Sequence, residues 1–208
     1  MHRFFSFSTT TLLLVTALLS VAPSWAHADA TGFLEKRHEE VNRLLKKPAK
    51  GPEATAKRDE KITKIIAELL DYDTLSKNAL VDHWDDKSEK ERTEFVSLLR
   101  QLVERNYRSN LENTLEFQIE YGKETKKDDA VLVATTARSK TNKRAPAVRI
   151  DYLVESRGND WAVTDVITDG VSMVRNYRNQ FNRIIRKDGW DGLIERMRTK
   201  LNEKEGVL

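Results

Sequence analysis

The apolar positions of this chain recur with a helical period up to about residue 113 and with a period of two beyond it. Phe33, Leu34, Val41, Leu44 and Leu45 fall on one side of a first helix that reaches about Lys47. Pro48, Gly51 and Pro52 break it. Ile62, Ile65, Ile66, Leu69 and Leu70 then follow at i, i+3, i+4, i+7 and i+8, the spacing of an amphipathic helix. Asp71-Tyr72-Asp73 interrupts, and Asp73 is placed to cap a short helix through Leu80. Ser88-Glu89-Lys90-Glu91 is a capping box. It opens the longest helix, with Phe95, Leu98, Leu99, Leu102, Val103 and Tyr107 on one face.

After Asn113 the alternation predicts strands. Phe117, Ile119 and Tyr121 mark the first, and Val131, Val133 and Thr135 the second. Residues 138–144 (RSKTNKR) form a polar hairpin tip. Val148, Ile150, Tyr152 and Val154 mark the third strand. Gly158-Asn159 turns the chain into a fourth over 161–168. Short polar links favour antiparallel pairing. Gly170 ends the fourth strand. Val174, Tyr177, Phe181, Ile184 and Ile185 then continue at helical spacing from about 171 to 186. Gly189 and Gly192 separate a last helix carrying Leu193, Ile194, Met197 and Leu201. Helices, a meander of about four strands and helices again make an α+β fold. A curved sheet wrapped by its N- and C-terminal helices would resemble the nuclear-transport-factor-like cone, enclosing an apolar cavity.

The N-terminus changes the picture of where the chain works. Arg3 precedes a mostly apolar run from Phe4 to Val21, and Ala26-His27-Ala28 is an A-x-A cleavage site. Residues 1–28 read as a secretory signal peptide, leaving one mature domain over 29–208. A membrane anchor fits less well, because Ser6, Ser8 and Thr9 to Thr11 dilute the apolar run. The chain has no cysteine, hence no disulfide, thiolate metal site or lipid-attachment cysteine. It carries 36 Lys+Arg against 33 Asp+Glu. The charges are interleaved, which marks a solvated surface and argues against nucleic acid as a partner.

Catalytic chemistry is sparse. His38 and His83 are the histidines of the mature chain, and both lie in polar segments that suggest solvated surface. No HExxH, phosphate loop, GxSxG or dinucleotide fingerprint occurs. Asp165 is the best candidate for a general base, on a strand face shared with Trp161, Val163 and Ile167. Pairing with Arg149, or capping the turn before Gly170, explains it more simply. Asp151 alternates to the face opposite Tyr152, toward solvent or a helix. Ser172 fits a helix N-cap.

A carrier is the economical alternative to an enzyme. Each buried methylene is worth about 0.8 kcal/mol, so a sixteen-carbon chain in water costs on the order of 10 kcal/mol. Lipid therefore needs an apolar container to cross an aqueous space. Leu98, Leu102, Val131, Val133, Ile150, Tyr152, Val154, Trp161, Val163, Val174, Tyr177 and Phe181 are the candidate lining. Ordinary close-packed core accounts for the same spacing. On the last long helix, Arg175, Arg183 and Arg186 oppose the apolar face. With Arg138, Lys140, Lys143 and Arg144 at the hairpin tip, they suit either solvent or a contact with anionic lipid or a partner's acidic rim.

One ordered set of segments carries a family resemblance over about 71–200. It runs Asp71-Tyr72 with Leu75, Ala79-Leu80…Trp84, Phe95…Leu99…Tyr107 and Val148…Tyr152. It continues with Trp161-Ala162-Val163…Asp165-Val166, Gly170-Val171-Ser172…Asn176-Tyr177-Arg178…Phe181 and Gly189…Leu193-Ile194. In this order the chain resembles the MlaC, or toluene-tolerance, family. That resemblance implies a soluble periplasmic phospholipid-binding protein of the lipid-asymmetry transport pathway; the chain is further expected to be a monomer without catalysis or cofactor. Its partners would be an outer-membrane lipoprotein complex and an inner-membrane ABC transporter with a lipid-binding ring. Val81 departs from the family pattern, which has glycine after Ala-Leu, and puts the turn before Trp84 in question.

Overall fold

The structure is a computed structural model describing residues 30–109, 115–158 and 160–203. The signal peptide expected over 1–28 lies outside the described residues, as do the helix-to-strand boundary at Asn113 and Asn159 of the turn. Four helices come first: α1 (Ala30–Lys46), α2 (Pro52–Leu69), α3 (Tyr72–Ala79) and α4 (Glu89–Ser109). Strands β1 (Phe117–Lys127), β2 (Ala130–Ser139), β3 (Val148–Arg157), β4 (Asp160–Thr168) and β5 (Val171–Ser172) follow, and α5 (Met173–Asn202) ends the chain. The strands form one antiparallel, curved open sheet in sequence order, β1 to β5. The α+β expectation holds. The sheet gains a fifth strand because Val171 and Ser172, expected in a helix, first pair with Thr168 and Ile167.

Local chemistry explains the helix starts. Ser88 and Glu91 close the capping box, with the Ser88 N–H donating to Glu91 Oε2 at 2.8 Å. Pro52 opens α2, where its missing N–H is not needed. Asp71, not Asp73, caps α3, accepting the Thr74 N–H at 3.0 Å. Asp73 lies in the first turn, where a carboxylate favours the helix dipole. Ser172 caps α5 as expected, its hydroxyl accepting the Arg175 N–H at 3.0 Å. α5 is two helical pieces joined at Gly189 (φ 74°, ψ −178°), a conformation open only to glycine. The break therefore falls at Gly189, and Gly192 lies inside the second piece. Val81 is exposed in a turn and does not have a positive φ, so that turn needs no glycine.

Two bulges shape the sheet. β1 shifts register between Tyr121 and Glu124, and β4 holds an extra residue, Thr164, where Leu153 faces Asp165 but Val154 faces Val163. A bulge turns the residues beyond it to the other face. Thr164 thus separates Asp165 and Ile167 from the face of Trp161 and Val163, correcting the shared face expected from alternation. Beside this bulge the α2–α3 link docks as a short parallel bridge, with the Asp71 N–H donating to the Val163 carbonyl at 2.9 Å. From Gly122 onward the edge strand β1 is fully exposed.

Two apolar clusters fill the protein. One joins the inner sheet face (Val133, Val154, Trp161, Val163) to α1, α2 and α3 through Leu34, Val41, Ile62, Ile66 and Leu75. The other joins α4 and α5 through Phe95, Leu99, Phe181, Leu193 and Ile194. Its rings interlock: Phe95 meets Phe181 edge-on at 5.4 Å, and Tyr177 stacks on Phe181 at 5.4 Å. α4 spans both, giving Val96, Val103 and Tyr107 to the first.

Candidate functional site

The inner face of the sheet is apolar and incompletely covered. Register places Val131 and Val133 of β2, Tyr152 and Val154 of β3, and Val163 and Val166 of β4 side by side. Val133, Val154 and Val163 are fully buried under the helices. Val131, Tyr152 and Val166 keep part of their surface open, although β3 is the central strand. Trp161 and Val174 belong to the same cluster. Leu98, Leu102, Tyr177 and Phe181 instead belong to the α4–α5 cluster. Ile150 is half-buried on β3, opposite Thr135 and Thr168. The candidate lining is thus divided between two cores.

A groove of about 980 Å³ runs between α2 and α4. Small side chains on one side of α2, among them Thr55, Ala56, Thr63 and Ala67, leave it open, while Asp59, Lys64, Glu104 and Arg108 line its rim. Its size falls at the upper end of the roughly 300–1,000 Å³ of ligand pockets. Burial pushes the Glu104 carboxyl above its usual range, against the opposing pull of Arg100 and Arg108. None of the candidate lining residues touches this groove. The signal available in the sequence was the row of small residues at 56, 63 and 67, on the side of α2 away from its isoleucines.

His38 departs most from its expected place. It turns inward from α1 and lies between two phenols: its Nδ1 is hydrogen-bonded to the Tyr121 hydroxyl, and its Nε2 lies 3.4 Å from the Tyr152 hydroxyl. Burial lowers its pKa to about 4, so the ring is neutral. Burial also raises the phenols of Tyr121 and Tyr152, which stay protonated. The readable signal was spacing, because His38 completes the inward row Leu34, Val41 and Leu45. His83 is half-buried rather than solvated, in a turn where its backbone N–H donates to the Leu80 carbonyl at 2.6 Å.

Asp165 is buried, with both carboxylate oxygens occupied. Oδ1 accepts the N–H groups of Val166 at 2.9 Å and Val174 at 3.0 Å, and Oδ2 accepts the Ser172 hydroxyl at 2.5 Å. The expected partner Arg149 pairs with Asp151, Nε to Oδ1 at 3.0 Å and Nη2 to Oδ2 at 2.8 Å. Asp151 is therefore buried behind a guanidinium rather than facing solvent or a helix. Asp165 docks the start of α5 on β4, with three of its roughly four lone-pair sites taken by these donors. Arg175, Arg183 and Arg186 are exposed, as are Arg138, Lys140, Lys143 and Arg144. Among the described residues no cluster of His, Asp and Glu is arranged to hold a metal ion. Among them, too, no helix is long and apolar enough to cross a membrane.

Fold and site together define an α+β protein with helices packed over part of the apolar inner face of one curved sheet. The chain belongs to the MlaC family: the family model described as MlaC protein matches residues 35–199. Among solved structures it is similar to a phospholipid-binding protein from Ralstonia solanacearum, determined in complex with a phospholipid at 1.53 Å. The TM-score is 0.69 at 22% identity, covering 84% of this chain and 97% of that one. No curated protein matches the chain.

Proposed function

We propose that the protein is a periplasmic phospholipid carrier. After removal of residues 1–28, its single domain over 29–208 holds acyl tails and leaves the head group in water. It passes lipid between an outer-membrane lipoprotein complex and an inner-membrane ABC transporter with a lipid-binding ring. Membership of the MlaC family across 35–199 carries this reading. The phospholipid held by the Ralstonia solanacearum protein of the same fold supports it. The tails lie against the inner sheet face, where Val131, Tyr152 and Val166 remain partly open. The groove between α2 and α4 is their way in, because small side chains leave the space beside α2 unfilled on one side while isoleucines bind α2 to the core on the other. The carrier has no catalytic step and needs no cofactor. Burying one tail recovers on the order of 10 kcal/mol, enough to hold lipid by shape and apolar contact alone.

Mass spectrometry of an organic extract from detergent-free protein tests this. Stoichiometric phospholipid is expected. Lipid-free protein that also takes up no phospholipid from vesicles would overturn the reading.

A further inference from the structure

The His38–Tyr121–Tyr152 cluster is a polar island on the sheet's inner apolar face, next to a partly open surface. Its hydrogen bonds do not balance. A neutral imidazole has one donor nitrogen and one acceptor nitrogen. One phenol donates its proton to the ring, and the other accepts the ring's N–H. The accepting phenol keeps its own O–H proton, for which the ring has no second acceptor nitrogen. The contact between Tyr152 and His38 is the long one, at 3.4 Å, so it is the cheaper of the two to rearrange. Tyr152 also stands on the central strand, between the half-open Val131 of β2 and Val166 of β4.

We propose that this spare phenol donor, on Tyr152, holds an ester carbonyl of the glycerol backbone of a bound phospholipid. The inference rests on the phospholipid reading above and adds a polar contact to it. A neutral carbonyl suits the cluster better than the phosphate. The ring is neutral, and the carboxylates of Glu35 and Glu39 act on Tyr121. An anion placed here would meet negative charge and no cation of the cluster. A buried phenol proton without an acceptor is costly, and an ester oxygen supplies the acceptor that the hydrocarbon lining cannot. The site thereby fixes how deep the cargo sits. With the carbonyl held at Tyr152, the tails extend along the inner sheet face and the head group lies on the other side of the glycerol.

Delipidated protein loaded with diester or diether phosphatidylglycerol tests the contact, because the ether lipid lacks the carbonyls and keeps tails and head group. Native mass spectrometry and vesicle competition give the relative affinities. Wild-type protein is expected to favour the diester lipid by about five- to tenfold, the worth of one hydrogen bond between neutral groups. Tyr152→Phe, and Tyr121→Phe with Tyr152→Phe, are expected to bring the two lipids level, with thermal unfolding confirming the fold. Equal binding of both lipids by wild-type protein would overturn the ester contact while leaving the carrier reading intact. So would a diester preference that survives in both variants. Failure of wild-type protein to bind either lipid would overturn the carrier reading, and the ester contact with it.

Discussion

Arg178 on α5 holds the backbone carbonyl of Asn78, in the last turn of α3, with two nitrogens: Nε at 2.9 Å and Nη2 at 2.6 Å. Carbonyls at a helix end lack partners along the helix and carry the negative end of its dipole. The guanidinium therefore satisfies a group that α3 itself cannot and ties two helices a hundred residues apart. Arg178→Ala should cost about 2 kcal/mol in urea unfolding. Arg178→Lys should recover only part of that, because an ammonium cannot reproduce the paired contact.

Asp165→Ala removes the acceptor of two backbone N–H groups and of the Ser172 hydroxyl at a buried site. The loss should reach about 3 kcal/mol, since the donors stay buried without partners. Asp165→Asn keeps one acceptor oxygen and should lose less. If the protein purifies with lipid, Asp165→Asn should retain it, as befits an anchoring residue. Loss of lipid from a folded Asp165→Asn protein would contradict that role.

His38 sets a pH dependence whose sign follows from its lowered pKa. Above about pH 6.5 the ring is neutral folded and unfolded, and its full contribution is present. Between about 6.5 and 4 the unfolded chain takes up the proton first, so stability falls as the pH drops. The difference approaches about 3 kcal/mol at the lower end of that window. Unfolding free energies at pH 7 and pH 5 should therefore differ less in His38→Gln than in wild type. Equal slopes would show that the ring is not held neutral.

Gly189→Ala should cost on the order of 1–3 kcal/mol, because φ 74° with ψ −178° is strained for any residue with a Cβ. Nothing lies within 4 Å of the added carbon, so the whole cost is backbone strain. Thermal unfolding measures it. An unchanged midpoint would mean that α5 runs straight through this position.

Ala67→Trp should fill the groove between α2 and α4 from its α2 side. A side chain of this size would block the proposed way in, so phospholipid uptake from vesicles should slow at least several-fold. Lipid content should fall while the unfolding midpoint stays close to that of wild type. Undiminished lipid in the variant would place the entry elsewhere.

Much of the fold was legible because it follows from period and punctuation. Ile62 to Leu69, the Ser88 capping box and the alternation in β2 and β3 each point to one local structure. Three features were not legible, for definite reasons. Alternation counts residues and cannot register an extra one, so the Thr164 bulge moved Asp165 to the outer face, where it holds the start of α5 while Arg149 pairs with Asp151. Polar neighbours disguised His38, whose spacing from Leu34 and Val41 turns it inward regardless of Lys36 and Glu39. Asp71 and Asp73 both suit a cap, and the Thr74 N–H alone decides between them. The candidate lining shows a further limit. Periodicity identifies which residues leave water, but Leu98 and Phe181 left it for a different core from Val133 and Val163.

The charged, fully exposed end of β1 bears on how copies of this protein behave toward one another. A sheet grows when a free border offers unpaired N–H and C=O groups to another chain. Here one border carries Lys123, Glu124, Lys126 and Lys127, and the opposite border is only the two residues of β5. A second copy approaching β1 would bring its own lysines against these, while at the other border β5 offers too short a template and the stretch of β4 beyond it, Trp161 to Asp165, is buried. Polymerisation through the sheet is disfavoured at both ends.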